Sequence, residues 1–214
     1  MMDFYFRSRR TVVTGLVLLT ASLYFIVYSA HFFDPAPEVL GKYLPVKWLL
    51  WLHIGMGSVT LLTGPFLLWD AFRIRHLRWH RCLGLAYVSA VAVSGLCAVW
   101  LSATTAYAVN RPYAFSLHVW VAVWLFSTGF AFYAVKRRQI KLHREWMVRS
   151  YLVTLAFVVS ASLLKVPFVQ RLGSFEEISP SFFWLSWSVP LFVYDVWLGL
   201  QERGKSEAGA KLSA

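Results

Sequence analysis

Four histidines are the residues in this chain best suited to do chemistry, and they form two matched sets. His53 and His118 each lie inside a long apolar run, whereas His80 and His143 each sit where a basic loop meets the next apolar run. One such loop closes with Arg78-Trp79-His80-Arg81-Cys82-Leu83-Gly84, the other with Lys141-Leu142-His143-Arg144-Glu145-Trp146-Met147. His53 and His80 are 27 residues apart, and His118 and His143 are 25 apart. Two helical hairpins therefore share one plan, as a parallel internal repeat would. Depth then dictates pairing. His53 precedes Asp70 by 17 residues and His118 precedes Lys136 by 18, which places these two imidazoles at one height. His80 and His143 share the other height, about 25 Å away along the helix axis.

Two neutral imidazoles facing each other across a flat macrocycle are what a six-coordinate b-type haem needs. Facing helices of a bundle supply that geometry. The expected axial pairs are His53 with His118 and His80 with His143. Gly57 follows His53 by four residues and Gly84 follows His80 by four. That spacing keeps each glycine on its histidine's face, where it clears room for a ring. Ala122 and Met147 hold the corresponding places after His118 and His143. Arg81 and Arg144 directly follow the two loop histidines and are placed to clamp the carboxylates of a haem. The reading is thus two haem b groups. The bland alternative is that a membrane histidine bonds a neighbouring helix or meets headgroups; His31 and His76, in loops, are read that way.

The elements that must carry these residues are six apolar segments: 11–30, 44–69, 82–102, 113–135, 147–169 and 182–200. Each is long enough to span a bilayer as a helix. The last is the weakest, because Pro190 interrupts it and Asp195 charges it. Short links make neighbouring helices antiparallel. The expected fold is one all-α membrane domain over residues 1–214, with helices two to five as a four-helix core and helices one and six flanking it. The tail after Gln201 is small and polar and is expected to fray.

Composition agrees. The chain is 58% hydrophobic, 18% aromatic and 14% charged, against about a quarter charged in soluble domains. A net charge of +11 in a soluble protein would point to nucleic acid, but no nucleic-acid motif interleaves the basic residues. Membrane orientation explains it better. Sixteen Lys and Arg fall at the N-terminus, the second and fourth links and the tail, against five on the other side: Lys42, Lys47, Arg111, Lys165 and Arg171. That bias puts both termini in the cytoplasm. The N-terminal run follows Arg7, Arg9 and Arg10 and lacks a small-residue cleavage site, so it reads as a retained first span. Cys82 and Cys97 share one helix about 22 Å apart, too far to bridge.

Lesser features have simple readings. Trp79 and Trp146 read as interfacial residues, Lys165 as snorkelling and Tyr87 as packing. Asp195 calls for a partner inside the bundle, Arg149 being the favoured one, with proton transfer for a quinone as the sharper alternative. No zinc-enzyme, P-loop, nucleophile-elbow or dinucleotide motif is present.

The elements His53-Ile54-Gly55-Met56-Gly57 with Gly64-Pro65, His80-Arg81-Cys82-Leu83-Gly84-Leu85-Ala86-Tyr87-Val88, and His143-Arg144-Glu145-Trp146-Met147-Val148-Arg149-Ser150-Tyr151 resemble an uncharacterised bacterial membrane-protein family, the domain of unknown function numbered 2306. The helix count and histidine layout also resemble dihaem proteins of the cytochrome b561 type. That second resemblance implies one haem between helices two and four and another between three and five. It also implies electron transfer from ascorbate or quinol to ferric iron or another acceptor, with an ascorbate- or quinol-dependent reductase as the enzyme type. Here His80 and His143 open their helices, so the second haem is expected to lie shallow. Two other functions compete: a haem-free scaffold, transporter-like or metal-binding subunit, and a haem-bearing membrane anchor for a soluble redox partner. The bilayer is the one partner all three share.

Overall fold

The computed structural model describes the backbone of residues 2–212 and the side chains of residues 13–204. The side chains of Arg7, Arg9, Arg10, Lys205 and Lys211, which enter the orientation argument, lie outside the described residues. In chain order the helices are α1 (Met2–Ser29), α2 (Pro37–Leu40), α3 (Lys47–Leu68), α4 (Asp70–Arg75), α5 (Leu77–Leu101), α6 (Arg111–Lys136), α7 (Ile140–Leu163), α8 (Pro167–Gln170) and α9 (Phe175–Leu212). Tight 3₁₀ turns cover Ala30–Phe33 and Gly41–Val46, and a wide π-type turn over Ser102–Ala106 extends α5. There is no strand among the described residues. Six helices, α1, α3, α5, α6, α7 and α9, are long and apolar enough to cross a membrane.

The helix ends follow local chemistry and depart from the apolar runs in places. α5 begins at Leu77 and α7 at Ile140, ahead of the expected Cys82 and Met147. His80 and His143 are therefore each the fourth residue of a helix rather than its opening residue. α7 ends at Leu163, not Val169, because Pro167 follows and Val166 before it is extended (φ −67°, ψ 126°), as a residue preceding proline prefers. Asn110 caps α6 by accepting the Tyr113 amide at 2.7 Å, a standard N-terminal device. The α6–α7 turn is made by Arg138 in the left-handed region (φ 60°). Pro180 and Pro190 do not divide α9, and the expected fraying after Gln201 gives way to helical backbone as far as Leu212. Prolines are tolerated in membrane helices where neighbours re-satisfy the freed carbonyls.

α3 packs on α5 and α6 on α7, and the two hairpins join through α5 on α6 and α3 on α7. α9 lies against α6 and α7, and α1 lies against α3 and α7. One end of the bundle is basic: Arg144 on α7 bonds Asp70 on α4, and Lys141 bonds Glu202 on α9 at 2.7 Å. At the far end Trp51 bonds the Phe32 carbonyl and Asn110 bonds the Glu176 carbonyl. The buried interior includes Tyr87, Val91, Trp124, Val153 and Ala156. Large apolar side chains such as Val27, Leu96 and Phe192 are turned outward, which a hydrocarbon surround accepts.

Two close approaches set how the helices sit. A Cβ at Gly64 would collide with the Tyr151 ring of α7, and one at Gly95 would collide with Leu125 of α6. The Tyr151 hydroxyl, once there, donates to the Leu61 carbonyl at 3.2 Å. Asp195 on α9 pairs with Arg149 on α7, the guanidinium making two bonds of 2.7 and 3.0 Å to one carboxylate oxygen. The Arg149 guanidinium also lies 4.9 Å over Trp146 and 5.2 Å over Tyr194. Lys165 sits over the Tyr28 ring, so both of these charges have structural partners.

Candidate functional site

His53 is the seventh residue of α3 and His118 the eighth of α6, each one or two turns in from the far end. The His53 Nδ1 lies 2.9 Å from the Ser94 carbonyl on α5. A carbonyl only accepts, so Nδ1 carries the hydrogen and Nε2 is the free nitrogen. Ser94 Oγ returns a bond to the His53 carbonyl at 3.0 Å. The edge of the ring meets Phe157 of α7 at 6.2 Å between centroids, and Phe157 stacks on Trp120 of α6 at 4.3 Å.

Two cavities flank His53 and share Tyr43, Leu50 and Phe157 as walls. One, of about 170 Å³, is lined by α3, α5, α6 and α7 at once, with Ser102, Thr105 and Tyr113 among its walls. The other, of about 210 Å³, lies between α1 and α3, with Phe25, Ser29, Gly57 and Trp124 among its walls.

His118 is arranged in the same way but aimed differently. Its Nδ1 donates to the Ala114 carbonyl at 2.7 Å, again leaving Nε2. That atom lies 3.4 Å from Ser102 Oγ, a long contact, and the ring is tilted against Tyr107 at 5.9 Å. Neither cavity is lined by His118; its neighbour Leu117 and its contact Ser102 line the central one. The two far-end rings are therefore at one depth but do not touch, with Ser102 of the π turn beside the second.

At the basic end, His143 Nδ1 donates to the Ala131 carbonyl of α6 at 2.9 Å, which once more leaves Nε2. His80 differs: its Nδ1 is buried with no hydrogen-bond partner. The charges of His143, Arg73 and Asp70 all bear on His80, so the two loop histidines share one neighbourhood. Arg144, expected to clamp a carboxylate, does hold one: Asp70, by bonds of 2.9 and 3.1 Å. Asp70 also takes Arg73 at 3.0 Å. Arg81 is exposed. Met147 is buried in the core.

The two glycines expected to clear room meet little. A Cβ at Gly57 would lie 3.7 Å from Ser94 Oγ and one at Gly84 would lie 3.9 Å from Leu67, both ordinary contacts. Among the described residues, no three His, Cys, Asp or Glu side chains converge; histidine pairs, not clusters, are the candidate ligand sets.

Between the two histidine levels lies a network not foreseen from the sequence. The buried Tyr87 hydroxyl is 2.9 Å from Ser150 Oγ and 3.0 Å from Thr154 Oγ1. Ser150 is also 2.6 Å from Thr128 Oγ1, and Trp124 Nε1 donates to Thr154 at 2.8 Å. It ties α5, α6 and α7 together. Its spacing was readable: Tyr87 stands seven residues from both His80 and Ser94, and Ser150 seven from both His143 and Phe157. Two helices therefore carry histidine, hydroxyl and far-end contact on one stripe.

The fold and site define a class: a helical membrane protein of six candidate spans with histidines near both ends of its bundle. Within that class, the chain belongs to the family described as predicted membrane protein (DUF2306), whose profile matches residues 50–198. No curated protein and no solved structure shows significant similarity to it.

Proposed function

We propose that this protein is a b-type cytochrome of the bacterial inner membrane, with both termini cytoplasmic and helices α3, α5, α6 and α7 as its haem-bearing core. The observation that carries the reading is the state of the rings. In His53, His118 and His143, Nδ1 donates to a main-chain carbonyl. A carbonyl held by the other ring nitrogen is the usual support of a metal-ligating histidine, fixing the tautomer and the ring plane. His53 and His118 would hold one haem, and His80 and His143 the second, nearer the basic end. His80 lacks the carbonyl support, its Nδ1 being buried without a hydrogen-bond partner, so that support covers three of the four rings. Haem b supplies one-electron exchange when bound. The chain's own residues orient the imidazoles, exclude water with Phe157, Trp120 and Leu50, and, through the exposed Arg81, offer a guanidinium group to propionates; Arg144 would join it on leaving Asp70. Gly57 and Gly84 carry no side chain on the faces of His53 and His80, although a methyl group at either would meet only ordinary contacts. Ser102 must yield for His118 to turn inward, and the π turn it opens is the kind of local irregularity found at functional sites. Electron transfer across the membrane follows from haems at two depths; quinol, ascorbate, ferric iron and a soluble redox protein are the donors and acceptors in view.

The test is the absorbance spectrum of protein purified from membranes, oxidised and then dithionite-reduced. The expected result is a haem spectrum that shifts on reduction, with two haems per chain. His53→Ala or His118→Ala removes one, and His80→Ala or His143→Ala removes the other. A colourless protein overturns the reading. The second reading is a haem-free scaffold; it is favoured by the bonds from His53 to α5 and from His143 to α6, which tie helices whether or not iron is bound.

A further inference from the structure

We infer that Arg73 and Arg144 form a carboxylate-binding site for the propionates of the basic-end haem, and that Asp70 occupies it until haem displaces it. The site presupposes the haem reading above and adds to it Arg73 and a resident competitor. Asp70 accepts from Arg144 at 2.9 and 3.1 Å and from Arg73 at 3.0 Å. Two guanidinium groups from different helices thus meet on one carboxylate, Arg73 from α4 and Arg144 from α7. The same neighbourhood holds the histidine pair. Arg73, His143 and Asp70 all bear on His80, whose Nδ1 is buried without a partner. His143 donates through Nδ1 to the Ala131 carbonyl, which leaves Nε2 for a ligand.

Two features select the ligand. The first is chemistry. A guanidinium pair that grips one carboxylate grips another of the same shape, so the ligand bears an acidic group. The second is position. An acid held between Arg73 and Arg144 brings the rest of its molecule against His80 and His143. A lipid phosphate matches the arginines but gains nothing from two imidazoles. Haem carries propionates and an iron that takes an imidazole on each face. Asp70, in turn, is placed to give way. Its side chain is 58% exposed and that of Arg144 53%, and exposed ion pairs contribute little. It also lies on a six-residue helix, α4, set off from α3 by the extended Trp69 (φ −86°, ψ 106°) and from α5 by the non-helical His76 (φ −131°, ψ 54°). The carboxylate can therefore swing aside without unwinding a span, and the chain's own acid stands in for the ligand's.

The experiment uses full-length protein from haem-deficient cells in phosphatidylcholine nanodiscs, in a His53→Ala background that leaves the basic-end pair. It is titrated with ferric haem and with haem dimethyl ester, whose propionates carry no charge. Binding is read from the Soret band of the bis-imidazole complex. Asp70→Asn and Asp70→Ser should each tighten haem about 2- to 5-fold, the worth of one exposed ion pair, and leave the ester unmoved. Adding Arg73→Gln or Arg144→Gln to Asp70→Asn should cancel the gain. With two substitutions at residue 70, one that fails to fold leaves the other to decide. An equal gain for haem and ester, which means that α4 merely opened, overturns the inference, and so does haem affinity unmoved by the loss of Asp70. A gain erased when phosphatidylglycerol replaces phosphatidylcholine makes a lipid phosphate the occupant and also overturns it. A protein that forms no bis-imidazole complex with either porphyrin sinks the haem reading and this one with it; a protein that binds both porphyrins without regard to Asp70 sinks this one alone.

Discussion

The Nδ1 of His53 lies 2.9 Å from the carbonyl of Ser94, and Ser94 Oγ returns a bond to the carbonyl of His53 at 3.0 Å. The Ser94 hydroxyl also lies 2.9 Å from the same Nδ1, but the carbonyl belongs to the main chain of α5 and is kept in Ser94→Ala. Ser94→Ala is therefore expected to keep the His53 tautomer and the haem spectrum. It removes one buried hydroxyl bond and should lower stability by about 1 kcal/mol. Thermal unfolding in detergent alongside the reduced spectrum checks both halves; loss of haem in Ser94→Ala would show that Oγ, not the carbonyl, governs the ring.

Tyr87→Phe removes the central hydroxyl of the network while leaving the ring in place. Ser150 keeps Thr128, and Thr154 keeps Trp124 and its bond to the Ser150 carbonyl. Both hydroxyls therefore retain partners, and the expected loss is about 0.5–1.5 kcal/mol, with α5, α6 and α7 still in register. A loss several times larger, read from the same unfolding measurement, would mean that the network sets helix register rather than adding to it.

The spans were legible in the sequence because hydropathy over twenty residues leaves little choice in a bilayer. The depths of the four histidines were legible for the same reason, and so was the Arg149–Asp195 pair, since a charge in an apolar run must find a partner. The helix starts were not. Residues Leu77–Arg81 and Ile140–Glu145 are too polar to register as membrane, yet they fold as the first turns of α5 and α7. Nor could composition place the Tyr87–Ser150–Thr128 network, because a hydroxyl reads as unremarkable until three helices bring it to its partners. The aim of His118 toward Ser102 was equally hidden. It depends on the rotation of α6 about its axis and on a π turn, neither of which periodicity reports.

Gly64 has no room for a side chain against the Tyr151 ring. Gly64→Ala should therefore push α3 off α7 and lower stability by about 1–3 kcal/mol, the usual loss from overpacking. Tyr151→Leu in the Gly64→Ala background makes space for the added methyl and should recover part of that loss, although the bond to the Leu61 carbonyl goes with the ring. A double variant no better than the single one would place the damage elsewhere.

Arg149 and Asp195 form a two-bond pair between α7 and α9, with the arginine mostly enclosed. Arg149→Met leaves the half-exposed Asp195 carboxylate without its partner toward the end of an apolar helix, where an unpaired charge is unfavourable. Folded protein recovered from membranes should fall accordingly. Arg149→Met with Asp195→Asn removes both charges and should restore most of the yield, because neither variant residue then carries a charge that needs a partner in an apolar surround. If the double variant recovers nothing, the stacking of Arg149 on Trp146 and Tyr194, not the charge pair, is what holds α9 in place.

The basic end of the bundle gathers Arg73, Arg75, Arg137, Arg138 and Arg144, and the far end carries Glu38, Glu176 and Glu177. Lysine and arginine are retained on the cytoplasmic side of short loops, so the two ends should differ in chemical access. In a Cys82→Ser, Cys97→Ala background, Glu38→Cys is expected to react with a membrane-impermeant maleimide applied to spheroplasts. Arg137→Cys is expected to react only after the membrane is opened. The reverse pattern would turn the whole bundle over and would place the shallow histidine pair, His80 with His143, beside the periplasm instead of the cytoplasm.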